Sequence, residues 1–129
     1  MKIVGAKITR INSQRNPEFS GNISLKTNVQ INSLEKIKES KDTNKLSYDF
    51  DVDYADLGSI KVSGLIFYTA DTKTQKELLK QWDNKKLDSP EFIALTNVVM
   101  QKASIKAIQL EEELGLPIHV KLPTLSLKK

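Results

Sequence analysis

Three features of the sequence predict an α+β fold with every strand ahead of the helices. The first half alternates apolar and polar residues with a period of two, the second half shifts to a helical period, and a proline-broken apolar tail closes the chain. The expected order is a four-stranded antiparallel sheet, a short helix, one long helix and an extended Pro-containing tail, in a single domain over residues 1–129.

The opening strand places Val4, Ala6 and Ile8 on one face and Lys7 and Thr9 on the other, before Asn16-Pro17 and Gly21 punctuate a turn. In the second, Ile23, Leu25, Thr27, Val29 and Ile31 oppose Ser24, Lys26, Asn28, Gln30 and Asn32. A charged linker from Glu35 to Lys45 follows, with Asp42-Thr43-Asn44 as its expected tip. In the third strand Leu46, Tyr48, Phe50, Val52 and Tyr54 face one way against Ser47, Asp49, Asp51 and Asp53, and Gly58 closes a short turn. The fourth sets Ile60, Val62, Ile66 and Tyr68 on one face, yet Leu65 and Phe67 on the other are apolar too. A strand covered on one side should be polar on the other. This end is therefore expected to meet a helix, a second subunit or a ligand on its second face.

From Thr74 to Lys85 the spacing of Leu78, Leu79 and Trp82 predicts a short helix, with Leu87 just beyond it. Ser89-Pro90 then reads as an N-cap followed by a proline at the first helical position. Gly115 supplies the C-terminal cap and Pro117 forbids continuation. The helix between them has about 25 residues and a length near ~37 Å. On a helical wheel Phe92, Val99, Met100, Ala103, Ala107, Leu110 and Leu114 share one broad face, while Ala94, Val98 and Ile105 form a second apolar stripe roughly opposite. A helix on a single sheet needs one stripe. Two stripes predict a homo-oligomer with Ala94, Val98 and Ile105 at its interface; a tail folding back over the second stripe is the competing arrangement.

Composition narrows the function classes. The 129 residues can bury roughly two thirds of their unfolded surface without staples. Cysteine is absent, which excludes disulfides, zinc-thiolate sites and thiol nucleophiles and suits a reducing, cytoplasmic setting. The first residues form no apolar run of signal-peptide length, and no stretch approaches the roughly 20 apolar residues of a membrane span. A net charge of +4 comes from lysines mingled with Glu and Asp, so a solubilising surface is expected rather than nucleic-acid binding.

No catalytic constellation is apparent. His119, the single histidine, lies between apolar neighbours in the tail with no nucleophile-elbow pattern, and is expected to be a packing or surface residue. Asp49, Asp51 and Asp53 are spaced for calcium only superficially. Counted from Asp49, the sixth and twelfth positions hold Tyr54 and Ile60 instead of Gly and Glu. On a strand the three carboxylates stand about 6.6 Å apart on one polar face, where pairing with Lys61 is expected. Glu111-Glu112-Glu113 spreads over different faces of a last helical turn, and no P-loop or dinucleotide fingerprint is present. Neither a metal nor any other cofactor is predicted, and the chain reads as a binding protein rather than an enzyme.

The order of elements is similar to that of the SecB family of protein-export chaperones. Gly64-Leu65-Ile66-Phe67 resembles the family's Gly-Ile-Phe segment, and Thr74 to Leu87 falls at its crossover and short helix. Ser89-Pro90-Glu91-Phe92 occupies the start of its main helix, and Gly115-Leu116-Pro117-Ile118-His119-Val120-Lys121-Leu122-Pro123 looks like its glycine, aromatic-proline, leucine, proline tail. The family's Phe-Pro-Tyr-Ala-Arg helix start, final helix and acidic C-terminus are missing, and Lys128-Lys129 is basic instead. The resemblance implies an ATP-independent, holdase-type chaperone for unfolded polypeptides or preproteins, assembled as a dimer or dimer of dimers with helices between sheets. By position, its apolar groove would use Leu65, Phe67, Leu78, Leu79 and Trp82, closed by Leu116, Pro117, Ile118 and Leu122. These same residues could instead complete the core. The alternative function is an oligomeric adaptor or antitoxin-type protein with one specific protein partner.

Overall fold

The computed structural model describes residues 2–38, 42–86 and 88–120. Among them are strands β1 (Lys2–Arg15), β2 (Lys26–Lys36), β3 (Thr43–Asp53) and β4 (Gly58–Thr69), then helices α1 (Thr72–Asp83) and α2 (Pro90–Leu114). The sheet is antiparallel with order β1-β4-β3-β2. The predicted α+β arrangement is observed, with both edges formed by the first two strands.

β3 and β4 alternate without interruption. Leu46, Tyr48, Phe50 and Val52 lie beside Ile60, Val62, Ile66 and Tyr68 on one face, all at most 2% exposed. The edge strands depart from simple alternation. In β1 the register shifts between Ile3 and Gly5 and again between Ile8 and Arg10. Ala6, Ile8 and Ile11 consequently pair with Ile66, Gly64 and Val62 on the helix-bearing face, whereas Val4 falls within the first irregularity and is 53% exposed. The strand runs on to Arg15, past the alternation that announced it.

Three expectations for the next segments are corrected. Ile23 and Leu25 precede β2 and are exposed, so that strand starts later. Beyond the predicted alternation, a register shift after Ile31 brings Leu34 into the core. The charged linker is also shorter than Glu35 to Lys45, because Glu35 and Lys45 face each other as a cross-strand pair with a 3.6 Å ion pair. Asn44, expected at a loop tip, is a fully buried strand residue opposite Tyr68. Among the described residues its side-chain amide and the Tyr68 hydroxyl have no hydrogen-bond partner.

α2 rests chiefly on β4, with β1 and β3 to either side, and α1 lies toward β2. Ser89 Oγ accepts from the Phe92 amide at 3.1 Å and Asp71 Oδ1 from Thr74 at 2.7 Å, so both helices begin on side-chain caps. Phe92, Leu95, Val99, Ala103, Ala107 and Leu110 are the buried apolar residues of α2. The larger ones each contribute about 1.5–3 kcal/mol by leaving water. Leu95 thus joins this face unpredicted, and Met100, expected in it, is 37% exposed. Close approach has a local condition at Gly64, where a Cβ would stand 2.6 Å from the Tyr48 hydroxyl. Among the described residues no helix is long and apolar enough to cross a membrane.

Candidate functional site

The tail is held by a buried polar cluster that the sequence did not announce. Beyond α2, Gly115 takes a left-handed φ of 67° and turns the chain back. His119 Nδ1 then lies 2.7 Å from Glu111 Oε1, and His119 Nε2 lies 3.1 Å from Ser104 Oγ. The Tyr54 hydroxyl donates to Glu111 Oε2 and reaches the Pro117 carbonyl at 2.7 Å. Phe50 packs against the imidazole edge-on, with ring centroids 5.5 Å apart. The His119 and Glu111 side chains are 2% and 0% exposed. Burial first, then the bond to Glu111 and its charge, push the Tyr54 hydroxyl far above the ordinary phenol range. On the other side Arg15 Nη1 donates to the Leu114 and Gly115 carbonyls at 3.1 and 2.5 Å, satisfying the helix C-terminus. Of the two expectations for His119, packing or surface, the structure shows packing, with the ring buried against Phe50 and bonded to Glu111 and Ser104.

Ser104, His119 and Glu111 stand in the order of a serine-hydrolase relay. Ser104, however, lies in the middle of α2, where neighbouring backbone N–H groups are spent on helical bonds and cannot form an oxyanion hole. The cluster fixes the tail; it has no means of stabilising an acyl-transfer transition state. The three strand aspartates are likewise occupied structurally. The Ser63 hydroxyl and then Asn32, with a lesser contribution from Arg10, hold the Asp49 carboxyl below its ordinary range. Asp53 accepts from the Ala55 amide at 2.8 Å, and Asp51 stands across from Lys61. A concavity of about 620 Å³ near them, lined by Arg15, Asp51, Asp53, Asp56 and Lys61, is polar.

The sheet divides the groove residues inferred from the resemblance. Leu65 and Phe67 point away from both helices, with Lys7 Nζ 5.8 Å above the Phe67 ring. Leu78 and Leu116 lie in the core at 0% and 5% exposure. Leu79 and Trp82 are partly buried on the helix side, where Trp82 stacks on Phe92 at 6.2 Å. The structure thus does not bring Leu65 and Phe67 together with Leu78, Leu79 and Trp82 in one groove. Pro117 is half-buried beside Tyr54, Ile118 is 41% exposed, and Leu122 lies outside the described residues.

Two apolar surfaces remain on the helix side. One lies along the flank of α2 that carries Glu111 and Ser104, where Met100 and Ile93 continue the same ridge at 37% and 48% exposure. Half-buried Val29 and Ile31 of β2 face the same side of the sheet. The other comprises Ala94, half-buried Val98 and Ile105 on the back of α2; Ile105 is 59% exposed. A shallow cavity of about 160 Å³ joins Ile105 to Ala6, Ile8 and Tyr48 across the β1 edge.

No family model matches the chain, and no curated protein does. Among solved structures it is similar to the SecB-like chaperone Rv1957 of Mycobacterium tuberculosis, in complex with a ChAD peptide from the Rv1956 HigA1 antitoxin. The match has a TM-score of 0.57 and 12% identity, and covers 97% of this chain and 87% of that one. The likeness establishes a SecB-like fold.

Proposed function

We propose that this protein is an ATP-independent chaperone that holds unfolded or partly folded polypeptides on the apolar flank between α2 and β2. The observation that carries this reading is the exposed ridge Ile93–Met100 beside half-buried Val29 and Ile31, bounded by α1 at one end and the clamped tail at the other. Apolar client segments would gain about 25 cal/mol per Å² buried there, with no nucleotide required. Leu79, Trp82, Pro117 and Ile118 border this flank. Leu65 and Phe67 make a separate patch on the opposite sheet face. The SecB-like structural neighbour carries a peptide, which supports polypeptide as the ligand class. The second reading is an adaptor for one protein partner, favoured by that peptide's origin in a single named antitoxin.

The working assembly is a homo-oligomer, with Ala94, Val98 and Ile105 covered by a second copy together with the Ala6–Ile8 edge of β1. A cytoplasmic site of action suits a chain without cysteine.

Light scattering of insulin aggregating under dithiothreitol tests the function directly, since this chain has no thiol or disulfide for the reductant to attack. Suppression at equal molarity without nucleotide is expected, and Met100→Glu should abolish it while leaving the circular dichroism unchanged. Undiminished aggregation of insulin and of a second denatured protein would refute the holdase reading. Capture of one folded partner with fixed stoichiometry would then favour the adaptor.

A further inference from the structure

We propose that the cavity between the β1 edge and α2 binds an aliphatic carboxylate, and that this ligand competes with a second copy of the chain for the same face. The carboxylate site rests on the cavity alone; the competition rests on the assembly proposed above.

The cavity begins with a glycine. Tyr48, Gly64 and Ile8 stand in one row across the helix-bearing face of the sheet, and Gly64 puts no side chain at its centre. The Tyr48 ring leans over that position, since a Cβ on Gly64 would stand 2.6 Å from the hydroxyl. Its hydroxyl end therefore meets the cavity that Tyr48 lines. Tyr48 is 2% exposed, yet among the described residues nothing bonds this hydroxyl, and burial holds it above the ordinary phenol range. A buried donor without a partner costs the fold free energy that an acceptor from outside restores.

The other lining residues define the acceptor. Ala6, Ile8 and Ile105 form apolar walls, and Lys102 and Lys106 stand on the facing flank of α2. Lys106 Nζ is held 3.3 Å from Gln109 Oε1, which also lines the cavity. Among the described residues no carboxylate lines it. An anionic acceptor thus meets a hydroxyl donor beside two ammonium groups, and charge-assisted bonds are about twice as strong as neutral ones. The volume of about 160 Å³ takes about five groups of water size, at ~30 Å³ each. That fits a carboxylate and its first methylenes, with the remaining chain lying on Ile8 and Ile105, 40% and 59% exposed. A bare inorganic anion would leave the apolar walls uncovered, and a hydrocarbon would leave the hydroxyl unpaired. Ile8 and Ile105 are also where the second copy is placed, so ligand and copy exclude each other.

Calorimetric titration of the full chain with octanoate at neutral pH tests the site. A ligand of this size should bind with a Kd on the order of 0.1–1 mM. Octan-1-ol and octylamine should bind at least about tenfold more weakly, for want of the charge the lysines meet. Tyr48→Phe should lose about tenfold in affinity. Its urea midpoint without ligand should stay equal or rise, because the hydroxyl removed has no partner among the described residues. Lys102→Gln with Lys106→Gln should lose a similar factor. No binding of octanoate, equal binding of octylamine, or full affinity in both variants overturns the site. Light scattering with saturating octanoate should bring the mass down toward the 14.6 kDa of one chain. An oligomer whose mass octanoate leaves unchanged overturns the competition. If the mass is already that of one chain and octanoate still binds selectively, the site stands and the assembly reading falls.

Discussion

Replacing His119 by alanine should cost this protein about 3 kcal/mol of stability. The imidazole bonds Glu111 at 2.7 Å and Ser104 at 3.1 Å, and its removal leaves a fully buried carboxylate with only the Tyr54 hydroxyl. Breaking a buried pair by deleting one partner costs about 3–5 kcal/mol. The low end applies, because exposed Ile118 and Val120 on either side let water reach the vacated space. Against a total of about 5–15 kcal/mol this is a large loss. Urea unfolding followed by the single tryptophan, Trp82, should show the midpoint fall by about 1–3 M at an ordinary dependence on denaturant. The double variant Glu111→Leu with His119→Leu should recover much of the loss, since a buried pair replaced by apolar groups is often neutral. A midpoint unchanged in His119→Ala, or a double variant worse than the sum of the single changes, would refute the clamp.

Other consequences can be checked on the same protein. Ile105→Glu should shift the light-scattering mass toward the 14.6 kDa of one chain without changing secondary structure; an unaltered mass above that value would remove the α2 back face from the interface. Asn44→Leu should raise stability by about 1–3 kcal/mol, because it removes a buried amide that has no partner among the described residues; a loss would mean the amide is bonded in the folded chain. Gly115→Ala should cost at least about 1 kcal/mol in the same assay, since its φ is 67° and its Cβ would meet Arg15 Nη1 at 2.7 Å. Asp49, whose folded-state pKa is lowered, supports the fold above its unfolded value and ceases to do so as pH falls through the folded one. The stability gap between Ser63→Ala and the unaltered chain should therefore be present near neutrality and narrow below about pH 4; a gap unchanged by acid would contradict that origin.

How much was legible follows from which interactions are local. The strict alternation of Leu46 to Val52 survives in β3 because β4 pairs with it without interruption, and the one irregularity beside it, between Ile31 and Ser33, is taken up by β2. Ser89 and Gly115 marked the ends of α2 through caps that need only adjacent residues. The edge strands were misjudged at their outer ends, where Val4 falls in an irregularity of β1 and Ile23 and Leu25 precede β2, all three exposed despite the period of two. The opposite placement of Leu65 and Ile66 was readable from the period of two, yet a family-based groove overrode it. The Tyr54–Glu111–His119 cluster was not readable, because it joins the turn after β3, α2 and the tail, with 57 positions between Tyr54 and Glu111. A glutamate beside Ala107 and Leu110, with the one histidine eight positions beyond it, was the only local trace.

The grip of Arg15 on the carbonyls of Leu114 and Gly115 has a consequence for biosynthesis. Its two ends are 99 and 100 positions apart in the chain. β1 leaves the ribosome ahead of β2, β3 and β4, yet among the described residues its sheet partner is β4, and its last residue, Arg15, has no helix end to close on until Gly115 has emerged. The β2–β3–β4 meander can assemble during translation, while the N-terminal strand waits with Ile8 and Ile11 uncovered. During that interval the nascent chain is itself an aggregation-prone polypeptide of the kind its finished fold is proposed to hold.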